Sequence, residues 1–162
     1  MTREDIVQFF DARLLDWRAR NPEKLAAGHA EDGTVVSPMF GALHGRVEIA
    51  EAYRRLFTSF PDWFFKSEEL IIDGTRVAQH FVVNATHVGE FMGLPGTNRH
   101  GRLEGVALFT MKDGLILHEQ RQYDYSALLI QIGVLKSKPN FCSKSLRFMS
   151  AKAFRTCRLP DP

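Results

Sequence analysis

One strand-like segment carries an acidic and a basic side chain at a spacing that could do chemistry. Residues 115–124 alternate as a β-strand does, and one face carries Leu115, Leu117, Glu119, Arg121 and Tyr123. A buried glutamate beside an arginine stays ionised. Arg121 could hold a carboxylate or enolate oxygen while Glu119 moves a proton. A structural ion pair that bridges the sheet and a helix would leave the same pattern, so both interpretations stay open.

Three further polar residues are candidates for the site, each with a structural alternative. Asp124 is a candidate catalytic carboxylate, although its place directly before a predicted helix favours the role of N-cap. His87 precedes a glycine-rich loop, where an imidazole could act as acid, base or donor, or could simply satisfy a backbone carbonyl. Glu104 lies in the middle of a predicted strand. It is either a substrate-binding carboxylate in a pocket or an outward charge.

The aromatic residues are weighted towards Phe, with thirteen Phe against three Tyr. They supply apolar lining for a core, or for a core and a cavity. We predict a substrate-binding wall that consists of Phe40, Tyr53, Trp63, Phe91, Met92 and Tyr123. Core packing is the alternative for each of them. A pocket with few polar groups suits a hydrophobic, oxygenated small molecule. No Ser-His-Asp order, HExxH motif or metal-ligand spacing is present, so neither a metal nor a cofactor is expected.

These residues must be positioned by helices that come first and strands that follow. Helices are predicted from the Thr2 cap to about Arg20, from the Asn21 cap to near Gly28, and from Ile49 to Phe57. An edge strand is predicted at 34–40, because Pro38 cannot donate to a ladder. Strands with a period of two follow at 63–72, 76–88, 100–111 and 115–124, and a last helix at 125–132.

Two Asp-Gly pairs, Asp73-Gly74 and Asp113-Gly114, separate predicted strands as tight hairpins do. The sequence therefore predicts an α+β domain in which helices pack on one face of a curved antiparallel sheet. The loop at 88–97 contains three glycines. It is either a lid or rim over a cavity or a plain connection between strands.

Charge and composition exclude several classes of protein. The chain has 162 residues, of which 44% are hydrophobic and 25% charged, as expected of one globular domain. The body, residues 1–134, has a net charge of −4, which argues against a nucleic-acid partner. No apolar run is long enough to span a membrane, and no signal-like start is present, so a cytoplasmic location is expected.

A basic tail follows the predicted domain of residues 1–135. Residues 135–162 carry a net charge of +6 and both cysteines, Cys142 and Cys157, whose spacing does not fit a metal knuckle. Residues 136–162 are expected to be a frayed terminus or a short amphipathic helix. Contact of this tail with a membrane is the less favoured of these expectations.

Five strings in order resemble the SnoaL-like polyketide cyclase family, a branch of the nuclear transport factor 2-like superfamily. They are Phe57-x-x-Phe60-Pro61-Asp62-Trp63, Ile72-Asp73-Gly74-x-Arg76-Val77-Ala78, Thr86-His87-x-Gly89-x-Phe91-x-Gly93-x-Pro95, Asp113-Gly114, and Tyr123-Asp124 followed by Leu129-x-Gln131-x-Gly133. The resemblance covers roughly Thr2 to Leu135. It implies a cone-shaped fold, a curved sheet wrapped around the N-terminal helices, a central apolar pocket and a homodimer.

The resemblance also implies a chemistry and shows where this chain departs from it. Cyclases of the family close rings by an aldol step, in which a pocket acid or base removes a proton next to a carbonyl without a metal or cofactor. The position of the acid/base aspartate holds Arg121 here, and that of a pocket histidine holds Ala107. An arginine does not release its proton at neutral pH. The family mechanism therefore does not carry over residue by residue.

Two functions remain after this comparison. The first is a cofactor-independent enzyme of the cyclase, isomerase or hydrolase type, acting on a hydrophobic carbonyl compound by acid/base chemistry. The second is a non-catalytic protein that binds a small apolar ligand. An enzyme needs a carboxylate or histidine within hydrogen-bond reach of the reacting atoms, whereas a binding protein needs only a fitting cavity.

Overall fold

The computed structural model describes residues 1–136; the basic tail lies outside the described residues. Four helices and six strands follow one another in the order α1 (Arg3–Ala19), α2 (Pro22–Ala27), β1 (His29–Ser37), β2 (Gly41–His44), α3 (Gly45–Ser59), β3 (Phe64–Asp73), β4 (Arg76–Thr86), β5 (His100–Lys112), β6 (Leu115–Tyr123) and α4 (Tyr125–Gln131). The predicted succession of two helices, a strand, a third helix, four strands and a last helix is observed, with β2 as one additional strand. No helix within the described part is long and apolar enough to cross a membrane.

The first two helices begin where the sequence predicts. The Thr2 hydroxyl accepts a hydrogen bond from the Asp5 N–H, and the Asp5 carboxylate accepts one from the Thr2 N–H, which completes a capping box. The Asn21 side chain accepts from the N–H of Lys24 in the same way at the start of α2. These caps satisfy backbone donors that have no partner inside the helix.

The sheet has the order β2-β1-β6-β5-β4-β3, and every neighbouring pair is antiparallel except β1 and β6, which run parallel. The α+β class and a sheet with helices on its inner face are confirmed. The predicted edge strand at 34–40 is wrong in two respects. The strand begins earlier, at His29, and lies between β2 and β6, because it ends at Ser37 before Pro38 and a turn returns the chain as the true edge, β2.

A bulge in β6 changes which of its residues face inward. Thr110 pairs with His118 but Met111 pairs with Ile116, so Leu117 is the extra residue. Ile116 is fully buried as a result. Strict alternation predicts instead that Leu115 and Leu117 share the face of Glu119. After the bulge the predicted alternation holds. Glu119 and Arg121 lie on the inner face, where the helices cover them.

Helices α1 and α3 fill the concave side of the sheet with aromatic contacts. Phe10 of α1 meets Phe109 of β5 edge to face at 4.9 Å, and Trp17 stacks on Phe65 of β3 at 4.8 Å between ring centroids. At the turn between β5 and β6, Asp113 and Gly114 both have positive φ angles, of 49° and 82°, which is the conformation of a two-residue hairpin turn. The turn fixes the pairing of Lys112 with Leu115, and the bulge at Leu117 then shifts the register so that Glu119 pairs with the buried Phe109.

Candidate active site

A small cavity lies between the helices and the inner face of the sheet. Its volume is about 30 Å3, roughly enough for two water molecules. Most of its wall is apolar, with Leu56, Phe81 and Val83 among the lining residues. The side chains in the wall that carry polar atoms are those of Trp17, Trp63, Gln79, Glu119, Arg121 and Tyr123.

Glu119 is the centre of a buried ion cluster at one side of this cavity. Its Oε1 accepts a hydrogen bond from Nε of Arg121 at 2.6 Å. Its Oε2 lies 3.0 Å from Nε2 of His29 and 3.4 Å from Nη2 of Arg13. The side chains of Glu119, Arg13 and His29 are almost completely buried, and that of Arg121 is 12% exposed.

The cluster is assembled from four elements, with Glu119 and Arg121 both supplied by β6. Arg13 comes from α1, His29 from the start of β1, and Tyr53 from α3. The Tyr53 hydroxyl accepts hydrogen bonds from Nη2 of Arg13 and Nη2 of Arg121, and Nη1 of Arg13 donates to the carbonyl of Leu25. The cluster therefore joins the helices to the sheet at the same place where it borders the cavity.

The surroundings set the protonation of these groups. Burial by itself would raise the pKa of Glu119, but Arg121, the His29 hydrogen bond and Arg13 outweigh it and hold that pKa well below its usual value. Burial by itself would lower the pKa of Arg121, but the adjacent Glu119 carboxylate outweighs it, so the pKa of Arg121 lies above its usual value. Burial and the two guanidinium groups lower the pKa of His29. The lowered pKa favours the neutral ring near pH 7; its Nε2 lies against the ionised Glu119, and its Nδ1 lies 3.2 Å from the Leu25 carbonyl.

The cavity wall contains hydrogen-bond donors that have no acceptor in the described part of the chain, among them those of Trp63 and Arg121. The indole Nε1 of Trp63 is buried without a partner. Arg121 uses Nε and Nη2 for Glu119 and Tyr53, and its Nη1 makes no hydrogen bond with residues 1–136. The Arg121 guanidinium also lies 5.5 Å from the Tyr53 ring centroid and 5.7 Å from that of Trp17, within the range of cation–π contacts.

Ala107 and Arg121, the two positions that depart from the pattern of the resembled family, lie side by side on adjacent strands. Ala107 of β5 pairs directly with Arg121 of β6, and both line the cavity. Cross-strand partners on one face stand about 5 Å apart at their Cβ atoms. The small side chain of Ala107 leaves room for the long arginine opposite, so the two replacements fit together as one change.

A wider cleft adjoins the cavity at the open end of the sheet. Its volume is about 720 Å3, and Met39 and Phe40 line both spaces. The N–H of Met39 donates to the Tyr123 hydroxyl at 3.2 Å, which holds this partition against β6. Phe91 and Met92, predicted for the cavity wall, line this cleft and not the cavity.

Of the six predicted wall residues, Phe40, Trp63 and Tyr123 line the cavity directly. Tyr53 lies behind Arg121 and contacts the cluster through its hydroxyl. Met92 is 65% exposed, on the loop between β4 and β5. This loop is tied to the end of α3 by the Val88 and Gly89 N–H groups, which both donate to the carbonyl of Ser59. It forms a rim of the cleft.

His87 is buried but does not reach the cavity. Its ring packs between Phe60 and Phe91, and its Nδ1 lies 3.2 Å from the Thr97 hydroxyl, which itself donates to the Ile132 carbonyl. The Nε2 atom is buried without a partner, and burial lowers the pKa of the ring. The predicted catalytic role of His87 is corrected, because the ring does not line the cavity. It packs at the start of the loop between β4 and β5 and contacts Thr97 at the other end of that loop.

Asp124 and Glu104 also lie away from the cavity. The Asp124 carboxylate accepts from the N–H of Ala127 at 2.8 Å and caps α4, the structural alternative named for it. Glu104 is on the outer face of β5, where it pairs with His80 and Arg102. The outer-charge alternative is the correct one for Glu104, since inner and outer residues alternate along β5 and Leu103 takes the inner position.

Two members of the cluster were missed by the sequence analysis. Arg13 follows Phe10 by three residues and precedes Trp17 by four, so it lies on the buried stripe of α1 and could have been found there. His29 gave no such signal, because its contact with Glu119 depends on the parallel pairing of β1 with β6. Among residues 1–136, no three His, Cys, Asp or Glu side chains form a group that could hold a metal ion.

Solved structures share this architecture. TsrD from Streptomyces laurentii superposes with a TM-score of 0.74 at 20% identity, over 83% of this chain and 99% of that one. A protein from Catenulispora acidiphila with a ketosteroid isomerase-like fold gives 0.65 at 22%, over 82% and 95%. An LEH-like epoxide hydrolase of M. tuberculosis gives 0.62 at 15%, over 80% and 90%. These likenesses define the class as the ketosteroid isomerase-like, or nuclear transport factor 2-like, fold.

The sequence itself defines the family within this class. Residues 4–132 match the family model of the SnoaL-like polyketide cyclases. The chain belongs to the SnoaL-like polyketide cyclase family, as the five strings indicated. No curated protein matches the chain significantly.

Proposed function

We propose that this protein is a cofactor-independent enzyme that moves a proton on a hydrophobic carbonyl compound. The observation that carries the proposal is the placement of Glu119 and Arg121, side by side in the wall of an otherwise apolar cavity. A carboxylate and a cation excluded from water are the groups that proton removal next to a carbonyl requires. The family and the epoxide hydrolase among its structural neighbours support an enzymatic role for this fold.

Glu119 transfers the proton in this proposal, and Arg121 holds the substrate oxygen. The cations around Glu119 keep its pKa low, which makes it a weak base. A substrate oxygen that binds Arg121 competes with Oε1 of Glu119 for the same guanidinium. Loss of part of that contact raises the pKa of Glu119, so the base becomes stronger when substrate is in place.

The cavity and the cleft together provide a place for the substrate. The cavity of about 30 Å3 accepts only a few atoms, whereas the cleft of about 720 Å3 has the size of small-molecule sites. The apolar body of the substrate therefore lies in the cleft and its oxygen passes between Met39 and Phe40. Two neighbours were crystallised with small molecules, the Catenulispora protein with trimethylamine and TerC with polyporic acid.

Binding without catalysis is the second candidate, and one observation favours it. Both oxygens of Glu119 already contact cations or donors, namely Arg121 on Oε1 and His29 and Arg13 on Oε2. A carboxylate held in this way can serve only to fix Arg121 for a ligand. The two candidates differ in what happens when the Glu119 charge is removed.

Hydrogen–deuterium exchange separates the two functions without knowledge of the natural substrate. A panel of apolar ketones and β-ketoesters is incubated with the protein in D2O, and deuterium at the carbon next to the carbonyl is measured by mass spectrometry. We expect catalysed exchange with at least one compound. Glu119→Gln should slow it by about 100-fold or more, the contribution of a general base.

Glu104→Gln is the matched control, because it removes the same type of charge from the outer face. It should leave the exchange rate unchanged. Circular dichroism must show that both variants are folded. If Glu119→Gln is not, the double variant Arg13→Met/Glu119→Gln keeps the net charge of the cluster and takes its place. Exchange that persists without Glu119, while ligands still bind, would favour the binding protein.

A homodimer through the outer face of the sheet is part of the proposal. Ile71 of β3 is 59% exposed there, and Val106 and Leu108 of β5 are 38% and 43% exposed. Ala78 of β4 lies between Ile71 and Leu108 and pairs with both. Contiguous apolar surface of this kind is typical of protein interfaces. Leu108→Lys should convert a dimer to a monomer in analytical ultracentrifugation. Val47→Lys, at an exposed position of α3, should not, and a monomeric wild-type protein contradicts the proposal. The cytoplasmic location stays a prediction from the sequence.

A further inference from the structure

The charges of the buried cluster do not balance. Arg13 and Arg121 are cations, His29 is neutral, and Glu119 is the only carboxylate in contact with them within residues 1–136. The cluster therefore carries one net positive charge under the helices. An unbalanced charge removed from water is costly unless a counter-charge or hydrogen bonds compensate it.

Of the two arginines in the cluster, Arg121 is the one that borders the cavity. Arg13 is held on both sides, by the Leu25 carbonyl and the Tyr53 hydroxyl, and does not line the cavity. Arg121 does line it, and its Nη1 has no acceptor among the described residues. Arg121 is paired with Glu119 through Nε, but it is the cation of this cluster that a ligand in the cavity could reach.

Trp63 supplies a second donor for the same purpose. It is 5% exposed and lines the cavity, and its indole N–H is buried without an acceptor. A buried N–H of this kind normally has a partner, because leaving it without one is destabilising. A ligand oxygen in the cavity would supply an acceptor to both Trp63 and Arg121. The volume of about 30 Å3 limits that oxygen-bearing group to a few atoms.

We propose that the cavity is a binding site for an anionic oxygen group, a carboxylate or an acidic enol or phenol, at the end of an apolar ligand. Arg121 provides the charge and Trp63 the second hydrogen bond. The ligand class rests on the proposed function only in that both place the ligand in this cavity. A substrate would then carry an ionisable oxygen, such as a carboxylate or the acidic enol of a β-ketoester, and a neutral amide of the same shape would bind less tightly.

Benzoate and benzamide form a matched pair of probes, since they have nearly the same shape and differ in charge. Isothermal titration calorimetry at pH 7.5 measures the affinity of each. We expect benzoate to bind about 10-fold more tightly or better, because a charge-assisted hydrogen bond replaces a neutral one. In the NMR spectrum, the indole Nε1–H resonance of Trp63 should shift with benzoate, and Trp63→Phe assigns it.

Two variants test the two donors separately. Arg121→Gln should remove the preference for benzoate, so that both probes bind alike. Trp63→Phe leaves the ion cluster intact and should weaken benzoate binding about 5-fold while some preference for the anion remains. Trp63→Phe keeps the proposal testable if Arg121→Gln fails to fold.

Equal affinity of the wild-type protein for both probes, no binding of either probe, or unchanged benzoate affinity in Trp63→Phe each overturns the anion site. These outcomes are separable from failure of the proposed enzyme. If Glu119-dependent exchange occurs without a preference for benzoate, only the ligand class is wrong. If benzoate is preferred but exchange persists in Glu119→Gln, only the catalytic role is wrong.

Discussion

The two faces of the sheet carry the same ionic pattern in opposite surroundings. On β6 a glutamate and an arginine two residues apart, Glu119 and Arg121, meet a histidine of the neighbouring strand. On β5 an arginine and a glutamate two residues apart, Arg102 and Glu104, likewise meet a histidine of the neighbouring strand, His80. The first group is on the inner face, and the second is on the outer face.

Only the helices distinguish the two groups. Side chains of α1 and α3 cover the inner group and add Arg13 and Tyr53 to it, which leaves the Glu119 side chain 3% exposed. The Glu104 side chain is 46% exposed. Water screens the outer charges, so their pairing contributes little, whereas the inner charges depend on one another because no solvent is available. The same three residue types therefore form a surface network on one side and the proposed site on the other.

Removal of the two glutamates gives the largest expected contrast. Glu119→Gln leaves two guanidinium groups buried without a counter-charge, and we expect it to lower the free energy of unfolding by about 3–5 kcal/mol. Glu104→Gln should cause no measurable change, because water solvates its partners. Urea denaturation at pH 7, followed by circular dichroism, measures both. Similar losses for the two variants would show that burial does not separate the clusters.

A second arm of the same experiment tests the cause. Arg13→Met/Glu119→Gln removes one cation together with the carboxylate. If unpaired charge is what destabilises Glu119→Gln, the double variant should be more stable than the single one. Additive losses would point to lost packing instead.

The fold could be predicted from the sequence because its signals are local. The caps at Thr2 and Asn21 and the Asp113-Gly114 turn depend on residues a few positions apart, and all three occur as predicted. The edge strand could not be placed correctly, since the partner of β1 is β6, about 85 residues further along the chain. Strict alternation likewise had no means to anticipate the bulge at Leu117.

The site could be predicted only in part, for the same reason. Alternation after the bulge put Glu119 and Arg121 on one face, and the resemblance to the family identified that face as the inner one. Glu104 showed the same local pattern, and the sequence left its side undecided. The contacts of Arg13 and His29 with Glu119 bridge 106 and 90 residues. No periodicity within an element reports contacts over such distances.

The Tyr53 hydroxyl offers a smaller test of the inner cluster. Tyr53→Phe removes the acceptor of two guanidinium N–H groups, and we expect a loss of about 1.5–3 kcal/mol in the free energy of unfolding, as for hydrogen bonds to charged groups. Tyr125→Phe is the matched control, because that hydroxyl contacts the sulfur of Met92, a weak acceptor. Its loss should be clearly smaller in the same urea titration. Equal losses would contradict a special role for the cluster.

The smallest expected effect is a dependence of stability on pH that comes from buried histidines. Burial lowers the pKa of His29 and His87 below the ordinary value of 6.5, so the folded protein binds fewer protons than the unfolded chain as the pH falls through that value. Stability is therefore complete above about pH 7.5 and declines towards pH 5.5, by at most about 1.4 kcal/mol per pH unit for each histidine.

His87→Asn separates this effect from the ion cluster, which it does not touch. The Asn amide can keep the contact with Thr97 but cannot titrate. In urea titrations between about pH 7.5 and pH 5.5, the free energy of unfolding of the variant should therefore change less with pH, by the contribution of about one proton. Thr97→Val is the control. It removes the partner of Nδ1 but retains the histidine, and should be less stable with an unchanged slope. A slope that His87→Asn leaves intact would mean that the ring is protonated in the folded state, and that its unpartnered Nε2 finds an acceptor there.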